Sequence, residues 1–146
     1  MNSFQLTFSG LNFIAIVAAF GFCFVSGAIW FGPKTFYPIW MKERGIASGQ
    51  LNAQQNKPAL LFGGTILGLL IQLFVLALMI NSLASQGEVT ALQGATVGLA
   101  LGVGISMFSS LSHRLFGGES LKVWIIETAS DGINLTVAGA IIATLG

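Results

Sequence analysis

The chain has 146 residues, of which six are Lys or Arg and five are Asp or Glu. Only 8% of the residues are charged, against roughly 25% in an ordinary soluble domain. Hydrophobic residues make up 54% of the chain, and the mean hydropathy is +0.84. This composition excludes a water-soluble globular domain, which would need polar side chains over its surface, and it excludes a disordered chain, which needs low hydrophobicity.

Three long gaps between charged residues and a fourth apolar segment that contains two acids predict an all-α, polytopic membrane protein that forms a single domain in the lipid bilayer. The predicted transmembrane spans are about 11–31, 58–81, 91–112 and 121–145. Each is long enough to cross about 30 Å of hydrocarbon at about 1.5 Å per residue. No Lys or Arg precedes the first span, so we expect an uncleaved helix rather than a signal peptide.

The positive charges predict the orientation of these spans. All six lie in two alternate loops: Lys34, Lys42, Arg44, Lys57, Arg114 and Lys122. Loops rich in Lys and Arg face the cytoplasm, so we expect both termini outside. Amphipathic aromatic rings at the same interface are predicted anchors: Trp30, Tyr37, Trp40 and Trp124.

The cytoplasmic segment 33–57 is the only sizeable piece predicted outside the membrane. Pro38 is suited to the start of a short helix and Gly45 to its end. The mixture of large aromatic and basic side chains between them is typical of a helix lying in the membrane interface. We therefore predict a short interfacial helix after the first span.

This region also carries a resemblance. The run from Trp30 to Phe36, followed by Trp40, Met41 and Lys42, resembles Domain of Unknown Function family 1761. The resemblance implies a small bacterial protein with four spans, and hence a place in the bacterial cytoplasmic (inner) membrane. It implies no activity and no functional residues, because the family is uncharacterised.

Small residues at intervals of four follow one face of the third span: Gly94, Gly98, Gly102 and Ser106. Such a row lets the backbone of a neighbouring helix come close, which is how membrane helices associate. Two alternatives are open: tight packing inside one bundle, or a contact between copies of the chain. Four helices bury few faces on their own, so we expect a homo-oligomer.

Acidic residues occur in only one span, the fourth. Glu127 and Asp131 are four residues apart and share a helix face, which Asn134 continues. Counted from Leu121, they lie about 9, 15 and 20 Å deep, and Gln72 of the second span reaches a similar depth to Asn134. No Lys or Arg is predicted deep in any span, so neither acid is expected to have a buried ion-pair partner. These four polar residues are the candidate ion or proton pathway.

Two functions from different classes compete for this pattern. One is proton- or cation-linked transport along the polar face of the last helix, because intramembrane acids commonly mark such paths. The other is a non-catalytic subunit of an oligomeric complex, in which the acids hydrogen-bond to neighbouring helices or to other membrane subunits. We expect no enzyme, metal or cofactor, because the chain has one Cys and one His. The net charge of +1 predicts no nucleic-acid partner.

Overall fold

The computed structural model describes residues 5–30, 32, 38–39, 42 and 58–146. Within this part of the chain the regular secondary structure is entirely helical. The α-helices are α1 (Phe13–Trp30), α2 (Pro58–Ala84), α3 (Ala91–Leu99), α4 (Leu111–Phe116) and α5 (Leu121–Leu145). A π-helical segment, Ala100–Met107, joins α3 to α4.

Among the described residues, four helical stretches are long and apolar enough to cross a membrane: Phe13–Trp30, Phe62–Ala84, Ala91–Phe116 and Leu121–Leu145. The predicted all-α fold with four apolar helices is therefore confirmed. The third stretch runs past the predicted end at residue 112, because His113 and Arg114 still lie within helix. The turn that ends it comes at Gly118, whose φ of +80° suits a residue without a side chain.

Polar side chains set where two of the helices begin. Asn12 Oδ1 accepts hydrogen bonds from the backbone N–H groups of Ile14, at 3.0 Å, and Ala15, at 3.2 Å. Thr90 and Gln93 form a reciprocal capping box at the start of α3. These contacts satisfy N–H groups that the first turn of a helix leaves without partners.

The core lies around α5, which packs against α1, α2 and the α3–π segment. Buried apolar residues from three helices, α1, α2 and α5, form it: Ala15, Ile16, Ala19, Cys23, Leu73, Leu76, Ala77, Ile80, Leu135, Ala138 and Ile142. The contribution of α2 starts at Leu73, and most of the first half of that helix is exposed. Within the described residues, the helices therefore pack together beside the second half of α2, and its first half contributes little to the core.

One end of the bundle is tied together by side-chain hydrogen bonds. The backbone N–H of Thr7 donates to Ser82 Oγ at 2.7 Å, and Asn81 Nδ2 donates to the carbonyl oxygen of Thr7 at 2.7 Å. Asn12 Nδ2 donates to the carbonyl oxygen of Leu145 at 2.7 Å. We call this the asparagine end and the other the tryptophan end, where Trp30 ends α1.

Glycines bring α3 and the π-helical segment against the backbone of α5. A side chain added at Gly94 would collide with the carbonyl oxygen of Gly139, and one added at Gly98 with that of Leu135. A Cβ at Gly102 would come within 3.1 Å of the Cα of Gly132. Of the two alternatives for this row, packing inside the bundle is therefore correct, and the alternative of an oligomer contact through these three glycines is wrong.

The last member of that row, Ser106, is half-buried in the π-helical segment. A step of four residues in an α-helix overshoots a full turn by about 40°. A π-helical turn holds more residues, so there the same step falls short of a full turn. The change of helix type thus offsets part of the angular drift of the row around the helix.

The predicted interfacial segment 33–57 lies, except for residues 38–39 and 42, outside the described part of the chain. Tyr37 and Trp40, two of the predicted anchors, also lie outside it. The interfacial helix and these two anchors stay predictions.

Candidate functional site

Glu127 is half-buried on α5 and forms an ion pair with Arg114, which lies in the last turn of α4. Arg114 Nε also lies 3.7 Å from Glu119 Oε2. The expectation that neither acid has an ion-pair partner is therefore wrong for Glu127. The physical reason is the turn at Gly118, which brings the end of α4 back beside the start of α5.

Asp131 follows Glu127 by one helical turn and is exposed. No ion pair of Asp131 occurs among the residues that the structure describes. Asp131 and Glu127 share one face of α5 but only Glu127 is paired with Arg114 in the structure.

Asn134 continues this face toward the asparagine end and is only 8% exposed. Its side-chain oxygen, Oδ1, is buried and has no hydrogen-bond partner in the described part of the chain. Its backbone oxygen accepts a weak hydrogen bond from Cys23 Sγ at 3.7 Å. A buried amide oxygen without a partner costs free energy, so its presence here needs an explanation.

Gln72, the fourth residue of the predicted pathway, is not brought together with the other three. It is exposed on α2, whereas Leu73 and Leu76 beside it turn toward the core. The structure therefore does not bring Gln72 beside the polar face of α5, and its place in a pathway stays a prediction. Counting residues along a span gives the depth of a side chain but not the side of the helix on which it lies.

The two described tryptophans join helices to one another. Trp30 Nε1 donates to the carbonyl oxygen of Ile126 at 2.7 Å, which ties α1 to α5. Trp124 Nε1 donates to the carbonyl oxygen of Met107 at 2.9 Å, and its ring is 7% exposed. Trp124 therefore packs against neighbouring helices, and its role as an interfacial anchor stays a prediction. The role of Trp30 as an anchor stays a prediction.

The candidate site is accordingly the polar face of α5 with Arg114, and we call it the α5 polar line: Arg114, Glu127, Asp131 and Asn134. Within the described residues no group of three or more His, Cys, Asp or Glu side chains could hold a metal ion. The α5 polar line contains the exposed Asp131 near the middle of the helix. Glu127, paired with Arg114, lies toward the tryptophan end, and the amide of Asn134 lies toward the asparagine end. Such a set can take up and release a proton or hold a small cation.

Arg114 is the member of this line that sequence reasoning missed. The glycine pair that follows it, Gly117 and Gly118, is a turn signal close to the acids of the next span. That signal could have placed the guanidinium group beside the first turns of α5. The long apolar stem of arginine lets the charge reach a carboxylate within the span.

Three apolar helical stretches that pack against a fourth, each long enough to span a bilayer, are consistent with a small polytopic membrane protein. The model of the family described as "Protein of unknown function (DUF1761)" matches residues 14–143, and the chain belongs to this family. The resemblance predicted from the aromatic run after the first span is thereby confirmed. No curated protein and no solved structure matches the chain. The family description states no activity, so the function rests on the α5 polar line.

Proposed function

We propose that this protein moves protons or a small cation across the bilayer along the α5 polar line, with Asp131 as the exchanging group. The observation that supports it is the exposed carboxyl group of Asp131, within a helix long and apolar enough to span a membrane. An acid at the middle of a span costs about 3 kcal/mol on insertion scales and commonly marks an ion or proton path.

The order of the groups along α5 suits such a path. Counted from Leu121, Glu127 lies about 9 Å deep, Asp131 about 15 Å and Asn134 about 20 Å. Arg114 neutralises Glu127 near the tryptophan end. Asp131 is then the acid that gains or loses charge, and Asn134 offers a polar group one further step toward the asparagine end.

The orientation and location are part of the proposal. Lys and Arg favour the cytoplasmic side, so the tryptophan end faces the cytoplasm and both termini lie outside. The membrane is then the bacterial cytoplasmic membrane, in accordance with the family resemblance. The protein acts as a conductor or carrier and not as an enzyme, because one His and one Cys provide little for a hydrolytic site.

A non-catalytic subunit of a membrane complex is the second candidate. It is favoured by the direct backbone contact of α3 with α5, which leaves no space for a path between these two helices. In this role Asp131 would be protonated and would donate a hydrogen bond to a neighbouring subunit. The two candidates differ in whether Asp131 must ionise.

The test is proton and cation flux into liposomes that contain the purified protein. Asp131→Asn keeps the shape and hydrogen bonding of a protonated Asp but cannot ionise. If Asp131 exchanges a proton or cation, flux in this variant falls to that of empty liposomes while the fold is retained. Asp131→Leu removes hydrogen bonding as well and tests the structural role.

The matched control is Glu88→Gln, which removes an exposed acid outside the spans, before α3. It changes net charge by the same amount and should keep wild-type flux. Full flux in Asp131→Asn together with loss of folding in Asp131→Leu would refute transport and support the subunit role. Glu127→Gln should reduce flux less than Asp131→Asn, since Glu127 lies nearer to water.

A further inference from the structure

The ion pair of Glu127 and Arg114 lies between the tryptophan end and Asp131. Glu127 is the only acid of α5 besides Asp131, and it lies one helical turn nearer that end on the same face. Arg114 Nη1 contacts Glu127 Oε2, and the two side chains are exposed by only 27% and 16%. An ion that follows the α5 polar line from this end therefore meets a carboxylate that already has a guanidinium group beside it.

A second carboxylate and a backbone hydrogen bond also hold Arg114 in place. Its Nε lies 3.7 Å from Oε2 of Glu119. The backbone N–H of Glu119 donates to the carbonyl oxygen of Arg114 at 2.9 Å, across the turn at Gly118. Arginine stays protonated in proteins. The α5 polar line thus carries a fixed positive charge on the tryptophan side of Asp131.

The α5 polar line offers a metal cation few oxygen ligands near Asp131. Ca²⁺ takes about six to eight oxygen ligands, and potassium channels surround their ion with rings of backbone carbonyls. Asp131 offers its own carboxylate, and Asn134, three residues further along α5, offers its side-chain oxygen. These oxygens cannot replace the water shell that a metal cation must lose. A proton needs only one acceptor at a time.

We infer that the ion moved along the α5 polar line is the proton, and that the fixed charge of Arg114 keeps metal cations away from Asp131. The inference rests on the proposed transport and narrows its substrate from protons or a small cation to protons alone. A metal cation keeps its charge beside the guanidinium group and is repelled, more strongly than in water because the surroundings have a low dielectric constant. A proton travels between hydrogen-bonded oxygens and is held at Asp131 as a neutral carboxyl group, so no cation has to rest beside Arg114.

Ion uptake by liposomes that contain the purified protein tests this inference. Proton uptake is followed with a trapped pH-sensitive dye, and metal-cation uptake with radioactive sodium and rubidium. The wild type should take up protons, whereas its uptake of sodium and rubidium should equal that of empty liposomes. Arg114→Gln removes the fixed charge and frees the carboxylate of Glu127 as a further ligand. This variant should raise sodium uptake at least roughly tenfold over the wild type.

A double variant keeps the test sharp if Arg114→Gln does not fold with Glu127 left unpaired. Arg114→Gln combined with Glu127→Gln leaves no unpaired charge at this pair and keeps polar side chains there. It lacks the fixed positive charge, so its sodium uptake should also exceed that of empty liposomes. Circular dichroism and gel filtration in detergent establish that each variant is folded.

Two further variants separate the charge of Arg114 from its contacts. Arg114→Lys keeps a positive charge but lacks the planar, forked donors of a guanidinium group, so it should exclude both metal cations as the wild type does. Lys122→Gln is the matched control, because it removes an exposed positive charge from the first turn of α5, and it should also keep the exclusion. If Arg114 served only to hold helices together, Arg114→Lys and Arg114→Gln would behave alike.

Sodium or rubidium uptake by the wild type above that of empty liposomes would overturn the inference and leave the proposed transport intact. Exclusion of both tracers by Arg114→Gln and by the double variant, with proton uptake retained, would equally overturn it, because another feature would then select the ion. If the wild type took up neither protons nor tracers, the proposed transport itself would be refuted, and the inference with it.

Discussion

At the scale of single residues, the side-chain amide of Asn134 can show whether this residue has a structural or a functional role. Its buried Oδ1 has no hydrogen-bond partner in the described part of the chain. An unsatisfied buried polar group costs about 1–3 kcal/mol, whereas an apolar side chain of the same shape has no such cost. An amide at this position therefore stabilises the bundle less than an apolar side chain of the same shape would, and in the proposed transport it would serve as a polar group beyond Asp131.

The substitution Asn134→Leu tests the role of this amide. We expect its free energy of unfolding in detergent to equal or exceed that of the wild type, while flux in liposomes falls. The measurements are chemical denaturation and the flux assay described for Asp131. A variant that loses more than about 1 kcal/mol of stability, the size of an ordinary hydrogen bond, and that still conducts would show that the amide links helices.

Arg114 and Glu127 show how a pair of charges can lie within apolar helices. Each charge alone in hydrocarbon would be costly, but an ion pair with a charge-assisted contact reduces that cost. Both side chains are less than one-third exposed. Asp131 is the acid on α5 for which the described part of the chain shows no ion pair, which is why the proposal places exchange there.

At the scale of helices, the contact between α3 and α5 depends on the absence of side chains. Gly98→Ala places a methyl group where the carbonyl oxygen of Leu135 lies, so the two helices must move apart. Overpacking of this kind costs about 1–3 kcal/mol. We expect Gly98→Ala to lower the free energy of unfolding by that amount, measured by denaturation in detergent.

Gly104 provides the matched control in the same span. A Cβ there meets nothing within 4 Å, so Gly104→Ala should leave stability unchanged or raise it slightly. Equal stability of the two variants would mean that α3 and α5 do not approach as closely as the structure has them.

The glycine row and the acids show what the sequence can predict about elements and sites. Spacing identified the packing face at Gly94, Gly98 and Gly102, because a helix has a fixed period. Spacing did not predict which helix packs against this face, because several helices could approach such a row of glycines. Depth alone grouped Gln72 with Asn134, and only the packing of α2 separates them.

At the scale of the whole molecule, side-chain hydrogen bonds at the asparagine end join segments that are far apart in the sequence. Segments joined in this way lie on the same side of the membrane. Asn81 contacts the segment before α1, and Asn12 contacts the end of α5 at Leu145. The segment before α1, the connection from α2 to α3 and the end of α5 therefore lie together, at the asparagine end. Charge predicted the same grouping, because none of these segments contains Lys or Arg.

The last prediction concerns the side on which that end lies. A reporter fused after Gly146 and one inserted at Gln86–Gly87 should both read as external, because the basic residues hold the tryptophan end in the cytoplasm. A reporter that is active only outside the cytoplasm, paired with one that is active only inside, measures both positions. Two cytoplasmic readings would reverse the proposed orientation and leave the bundle intact. If one reporter reads as external and the other as cytoplasmic, the two positions do not lie at the same end of the bundle. The packing of helices on which the α5 polar line depends would then be wrong.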